Sequence, residues 1–291
     1  MWQSCAPENQ VDIQLGHIRL AARLWGAKDK PLLLALHGWL DNANSFEPLA
    51  SVLVDYQVLA IDWPGHGYSD HRPGKYPLHW IDYLFDLDSV IERLNLTQAP
   101  IAIMGHSLGG IVASAYCAAF PDKVERLILI EAIAPLFEDS QHNKARLVRS
   151  FASHQQQLIK DRPLSRYDSI EPAVRARMKL TGMAEPWCRL LVERNMKVVE
   201  GGVVWRSDPR LKLDSPARLS FEQVDHLMTG ISMPTLLITG HDGFSHLQQA
   251  LPQATQWFQS LTVVNLTGDH HLHMGNAHEV AQAIETFLAQ R

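Results

Sequence analysis

From Val11 to Trp25 apolar and polar residues alternate around Gly16-His17, which predicts an opening β-hairpin. Leu32 to Leu36 is apolar at every position, as expected of a strand covered on both faces. Tyr56 to Ile61 reads the same way and ends at Asp62. The period then changes. Between Leu78 and Leu94, Trp80, Leu84, Leu87, Ile91 and Leu94 share one helical face, and Asp82, Asp86, Asp88 and Glu92 lie largely elsewhere. A short apolar run, Pro100 to Met104, precedes a small, apolar helical stretch from Gly110 to Phe120, closed by Pro121. Arg126 to Ile130 is the next strand. Strands alternating with helices at this interval predict βαβ units and an α/β fold with a mostly parallel central sheet flanked by helices.

The rhythm breaks at Ala132. From Pro135 to about Ile231 the chain is polar, rich in Arg and Gln, and mostly helix-like, with no strong buried strand. Strand patterns resume at Thr235 to Thr239 and Leu261 to Leu266, and a closing helix carries Val280, Ile284 and Phe287 on one side. This predicts a core of residues 1–132 and 232–291, interrupted by a helical lid over 133–231. Such an insert is placed to cover the carboxyl edge of the sheet, where open α/β sheets bind their ligands.

Composition narrows the class without adding a site. The 291 residues are 46% hydrophobic and 20% charged, ordinary for a soluble globular protein. No apolar run approaches the roughly 20 residues of a membrane span, and Met1 to Gln10 lacks the apolar core of a secretory signal. Cys5, Cys117 and Cys188 are widely spaced with no C-x-x-C, which fits reduced thiols in the cytoplasm. A net charge of -5 argues against nucleic acid as a partner. Residues 133–231 hold 16 Lys+Arg against 12 Asp+Glu, and the remainder 10 against 19. The expectation is solvated helix faces on the insert, with attraction of anionic substrates as the alternative.

Chemistry enters at Gly105-His106-Ser107-Leu108-Gly109, between the strand ending at Met104 and the helix opening at Gly110. G-x-S-x-G in strand-turn-helix context is a nucleophile elbow: the glycines let the chain reverse so sharply that the Ser107 hydroxyl stands clear. The following helix aims free N–H groups and a positive dipole end at negative charge forming there. With such an elbow the base is expected beyond the last strand, where Gly268-Asp269-His270-His271-Leu272-His273 stands. His270 comes first and is the expected base; His271 and His273 are expected to pack. Three histidines so close in sequence make a poor zinc site, and no metal is expected. The oxyanion donors are expected to be the N–H groups of Leu108 and Trp39, the latter in His37-Gly38-Trp39. Asp62, in Asp62-Trp63-Pro64-Gly65-His66-Gly67, precedes the serine in the chain and is expected to tie loops together.

These segments together resemble the α/β-hydrolase superfamily, and within it the serine hydrolase-like group. His37-Gly38-Trp39, Asp62 to Ser69, the elbow at Ser107 and Gly268 to His273 match that pattern in order and spacing over nearly the whole chain. The resemblance implies Ser107 as nucleophile, His270 as base, and Leu108 with Trp39 as oxyanion donors. A serine at this position argues against dehalogenase and epoxide hydrolase chemistry. The acid departs from the pattern. Three residues past Gly240 the family's usual slot holds Gly243, and Asp242 falls one short. Asp242 is the expected acid, with Glu131, at the end of the preceding core strand, as the alternative. The implied reaction is two-step acyl transfer on a small carboxylic ester, without a cofactor. A carbon-carbon bond hydrolase, lactonase, thioesterase or peptidase would use the same triad, and a non-catalytic ligand-binding protein would use the same fold. Trp187, Trp205 and Arg206 are candidates to line the pocket or, as aromatics of an insert, to form its own core.

Overall fold

Leu32, Leu34 and Leu36 pack into one hydrophobic cluster while Leu33 and Ala35 pack into another, so a five-residue apolar run is buried on both faces by simple alternation. Leu127 and Leu129 against Ile128 and Ile130 repeat the division. In this computed structural model, which describes residues 3–4, 9–160 and 165–290, such strands form the middle of a nine-stranded sheet. Cys5 and most of the segment Met1 to Gln10 considered above lie outside the described residues.

The chain opens with β1 (Gln3–Ser4), β2 (Gln10–Gln14) and β3 (Arg19–Trp25), then β4 (Leu32–Leu36), α1 (Glu47–Ala50) and β5 (Gln57–Ile61). Next come α2 (Trp80–Asn95), β6 (Ala102–His106), α3 (Leu108–Ala119) and β7 (Leu127–Ile130). The segment beyond supplies α4 (Asn143–Lys160), β8 (Arg166–Tyr167), α5 (Glu171–Thr181), α6 (Glu185–Asn195), β9 (Met196–Val199), β10 (Gly202–Trp205) and α7 (Phe221–Met228). The chain then returns through β11 (Thr235–Asp242), α8 (Ser245–Ala254), β12 (Leu261–Asp269), α9 (Leu272–Gly275) and α10 (Ala277–Leu288).

Sheet order is β1-β2-β3-β5-β4-β6-β7-β11-β12. The first three strands join antiparallel, β3 meets β5 antiparallel, and the ladders from β5 to β12 are parallel. The result is the expected α/β layering, a mostly parallel sheet between helical layers. Side chains of α2, α3 and α7 fill one face, and those of α1, α9 and α10 fill the other. All parallel strands end at one edge, so the turns after β4, β6, β7, β11 and β12 gather there.

The segment after β7 is less purely helical than its pattern suggested. It carries a small antiparallel sheet in the order β8-β10-β9. Ala173, Val174, Leu191, Val192, Met196 and Val203 form a third cluster with Met274 of α9. Val224 and Met228 of α7 instead pack into the main core against α3. The Ser220 side chain caps α7 at the Gln223 N–H while the Gln223 side chain caps the Ser220 N–H, which fixes where this helix begins.

Candidate active site

Ser107 stands between β6 and α3 with φ 49° and ψ -117°, a left-handed backbone that a side-chain-bearing residue adopts only under constraint. The constraint is visible on both sides. Its N–H donates to the Ile130 carbonyl at 3.0 Å, extending the β6–β7 ladder, and its carbonyl accepts from Ile111 at 2.9 Å, starting α3. The flanking glycines let helix and strands approach. A Cβ on Gly105 would lie 2.5 Å from the Gly109 carbonyl, and one on Gly109 would lie 2.0 Å from the Leu36 oxygen. Any larger residue would push α3 away from the sheet and carry the Leu108 N–H with it. That N–H opens the helix and has no acceptor within it. The Ser107 hydroxyl enters no hydrogen bond with a described residue.

Glu131 and His270 meet beside this turn. Glu131 follows β7 with a second left-handed backbone, φ 53°, and its N–H donates to Ile238 of β11 at 2.9 Å. Its carboxylate accepts from Gly240 N–H at 2.8 Å, Phe244 N–H at 3.0 Å and His270 Nδ1 at 3.2 Å. Burial by itself raises the Glu131 carboxyl. The His270 ring and the two N–H groups outweigh it and hold the group below the usual glutamate value, so it is ionised at neutral pH. With Nδ1 given to the carboxylate, Nε2 of His270 is left as the acceptor, with no hydrogen-bond partner among the described residues. Phe244 stacks on the ring at 3.8 Å between centroids, fixing its plane.

The preferred acid of the sequence reading is not the one brought to the histidine. Asp242 is exposed, and it pairs in register with Asp269 beyond an irregularity between Gly240 and Asp242. The physical reason lies in Gly243. A Cβ there would stand 2.2 Å from Glu131 Oε1, so the carboxylate fills the space that a side chain in the family's usual slot would take. A glycine in that slot, together with a carboxylate ending an apolar strand, was the available signal.

The loop after β4 supplies the facing wall. Trp39 is 54% exposed, its indole N–H donates to the Leu211 carbonyl at 2.9 Å, and its backbone N–H has no acceptor among the described residues. Leu40 has φ 60°. His37 is fully buried: Nδ1 donates to the Gly38 carbonyl at 2.7 Å and Nε2 accepts from Trp63 N–H at 3.0 Å, while burial pushes its pKa down and keeps it neutral. Asp62 does tie loops together. It accepts from Ala43 N–H at 2.7 Å, Tyr68 N–H at 2.8 Å and Arg194 Nε of α6 at 2.9 Å.

Sequence reasoning missed how tightly the histidines assemble. His106 and His273 lie 4.2 Å apart between ring centroids, and His106 and His270 4.7 Å. His273 is fully buried with neither ring nitrogen paired among the described residues, and burial pushes its pKa down to about 3. His271 Nε2 approaches Asp41 Oδ2 at 3.4 Å, and Arg177 of α5 pairs with the other oxygen of Asp41. Among the described residues no group of three or more His, Cys, Asp or Glu is arranged to hold a metal.

Of the residues expected near the pocket, Trp187 and Trp205 pack on the third cluster. Arg206 lies over the Tyr68 ring at 4.5 Å, with its Nε on the Met196 carbonyl at 3.0 Å. These contacts belong to the insert and its seat, and none of them reaches Ser107.

A family model described as alpha/beta hydrolase fold matches residues 31–277. Serine hydrolase-like protein 2 of Homo sapiens is 30% identical, over 99% of this chain and 97% of its own. The serine hydrolase-like protein of Danio rerio is 28% identical, over 97% and 88%. The crystal structure of a hypothetical protein from Pseudomonas aeruginosa PAO1 superposes with a TM-score of 0.86 at 32% identity, covering 97% of this chain and all of that one.

Proposed function

Because the chain belongs to the α/β-hydrolase family, among the serine hydrolase-like proteins, and is a hydrolase, we propose that it cleaves small carboxylic esters through an acyl-enzyme on Ser107. The observation that carries this reading is the Glu131–His270 contact at 3.2 Å beside the strained turn of Ser107. His270 Nε2 takes the hydroxyl proton as Ser107 Oγ attacks the ester carbonyl. Glu131 holds the ring in the Nδ1–H tautomer and stabilises the imidazolium that forms. Negative charge developing on the carbonyl oxygen falls on the N–H groups of Trp39 and Leu108, reinforced by the positive end of α3. The imidazolium returns its proton to the departing alkoxide oxygen, releasing the alcohol. Water attacks the acyl carbonyl with the same base, the Ser107–acyl bond breaks, and the acid leaves.

The insert of residues 133–231 acts in this reading as a lid over the sheet edge, giving an enclosed pocket suited to a small-molecule substrate. Its seat is polar and buried, since Arg194 is 5% exposed and Asp62 is fully buried. The two described cysteines, Cys117 and Cys188, are buried free thiols, which fits work in the cytoplasm. Among the described residues no helix is long and apolar enough to cross a membrane.

Steady-state hydrolysis of a panel of short-chain and aryl esters tests the proposal. The wild-type chain should turn over continuously, and Ser107→Ala should fall to background, a loss of at least about 10³-fold. Equal turnover by Ser107→Ala would overturn it, and so would a wild type limited to one turnover, which is binding-protein behaviour.

A further inference from the structure

One buried ring lies against the base and the loop after β4, and it belongs to the residue directly before Ser107. His106 is 1% exposed at the end of β6. Its Nε2 lies 2.8 Å from the main-chain oxygen of His270, an acceptor, so Nε2 carries the proton and donates. Its own carbonyl carbon is bonded to the nitrogen of Ser107. Its other face abuts the loop after β4, where a Cβ on Gly38 would stand 3.0 Å from His106 Nδ1. Across the ladder His106 pairs with Ile130, the residue before Glu131. Nδ1 has no hydrogen-bond partner among the described residues and lies 3.6 Å from Asp41 Oδ2. Among those residues the hydrogen bond to His270 is the one the ring makes.

We infer that His106 is a positioning residue: it sets the separation of base, nucleophile and oxyanion loop by holding the His270 main chain against the Ser107 turn. The inference rests on the reading of Ser107 and His270 as nucleophile and base. A buried ring with two nitrogens is a poor choice if the position needs only volume, because its unpaired nitrogen carries a desolvation cost that an apolar side chain would avoid. The donor toward His270 is what offsets that cost. Without it the base keeps the Glu131 contact of its side chain but loses this main-chain tether. Misplacement on the scale of 1 Å lowers the rate of the chemical step while leaving substrate affinity nearly unchanged.

The test compares His106→Met, which keeps bulk and removes the donor, with His106→Gln, which offers an amide N–H near the Nε2 position. Two readouts are taken: ester kinetics, and the rate of Ser107 phosphonylation by a fluorophosphonate. Expected for His106→Met is a fall of about 10- to 100-fold in kcat and in phosphonylation rate, with KM within about threefold. His106→Gln should recover to within about fivefold of wild type. Equal losses in both variants at equal thermal midpoints, or a wild-type rate in His106→Met, would overturn the inference. Long-range 1H–15N spectra of the wild-type chain keep it falsifiable if His106→Met does not fold. They should show His106 as the Nε2–H tautomer between about pH 6 and 8, and an Nδ1–H tautomer would overturn it. A wild type whose Ser107 takes no label removes the underlying reading first, and this inference with it. A labelled wild type matched by His106→Met removes this inference alone.

Discussion

The sheet edge and the segment proposed to cap it are fixed by different means. At the edge, main chain does the positioning. Ser107 and Glu131 hold left-handed backbones directly after parallel strands, and Leu40 holds one in the loop after β4. Glycines at 105, 109 and 243 supply room that any side chain would take. At the cap, long side chains do the positioning. Arg194 reaches Asp62, Arg177 reaches Asp41, and Asn42 and Asn44 donate to the Leu191 and Leu190 carbonyls at 2.8 and 2.9 Å. Backbone strain placed near reacting groups is rigid and unforgiving. Side-chain bridges tolerate variation in the segment that carries them, provided the two ends still meet.

Four results would break or sharpen that contrast. The largest concerns the edge. Glu131→Gln should lower kcat by about 10⁴-fold, the cost of a mis-set imidazole in the serine protease template, whereas Asp242→Asn should stay within about threefold. Reversal of that order would return the acid to the β11 loop. Relocating the carboxylate by combining Glu131→Ala with Gly243→Asp should recover activity over Glu131→Ala alone, because the two groups compete for one space. No recovery in a folded double variant would mean that the shared space does not determine the acid's place.

The next concerns the cap. Breaking a buried pair leaves an uncompensated charge, so Arg194→Met should lower the unfolding free energy by about 3–5 kcal/mol, read by urea denaturation. A loss under about 1 kcal/mol would show that the seat is solvated and the cap loosely held.

The smallest, per unit of pH, comes from histidines buried neutral. Burial pushes His66 and His273 down to about 3. The folded chain therefore binds fewer protons than the unfolded chain between about pH 3 and 6.5. Their contribution is complete above the unfolded value and is lost as pH falls below it, at about 1.4 kcal/mol per pH unit for each histidine. Asp41, Asp62 and Glu131, all held below their ordinary values despite burial, extend the loss below about pH 4. Because burial holds His37 and His106 neutral as well, the unfolding free energy between about pH 6 and 4 should slope by at least about two protons. A flat profile over that range would place these rings in water.

Legibility followed the same division. The strand at Leu32 to Leu36 and the elbow at Ser107 are local patterns, because two-faced burial and glycine-fitted turns are written in adjacent residues. His270 was legible by its place after the last strand. Glu131 was legible only as an alternative, since its partner lies 139 residues away and its slot-filling role depends on a missing side chain at Gly243. The Arg194–Asp62 bridge spans 132 residues and the His106–His270 contact 164. No periodicity announces pairs that meet only after the sheet has formed.

The central claim, nucleophilic attack by Ser107, is tested most directly by peptide-level mass spectrometry after reaction with a fluorophosphonate. The account predicts one phosphonyl adduct, on the peptide carrying Ser107, formed by the folded chain and lost on denaturation before labelling. An adduct on a different residue, or a folded and ester-hydrolysing chain with none, would contradict it.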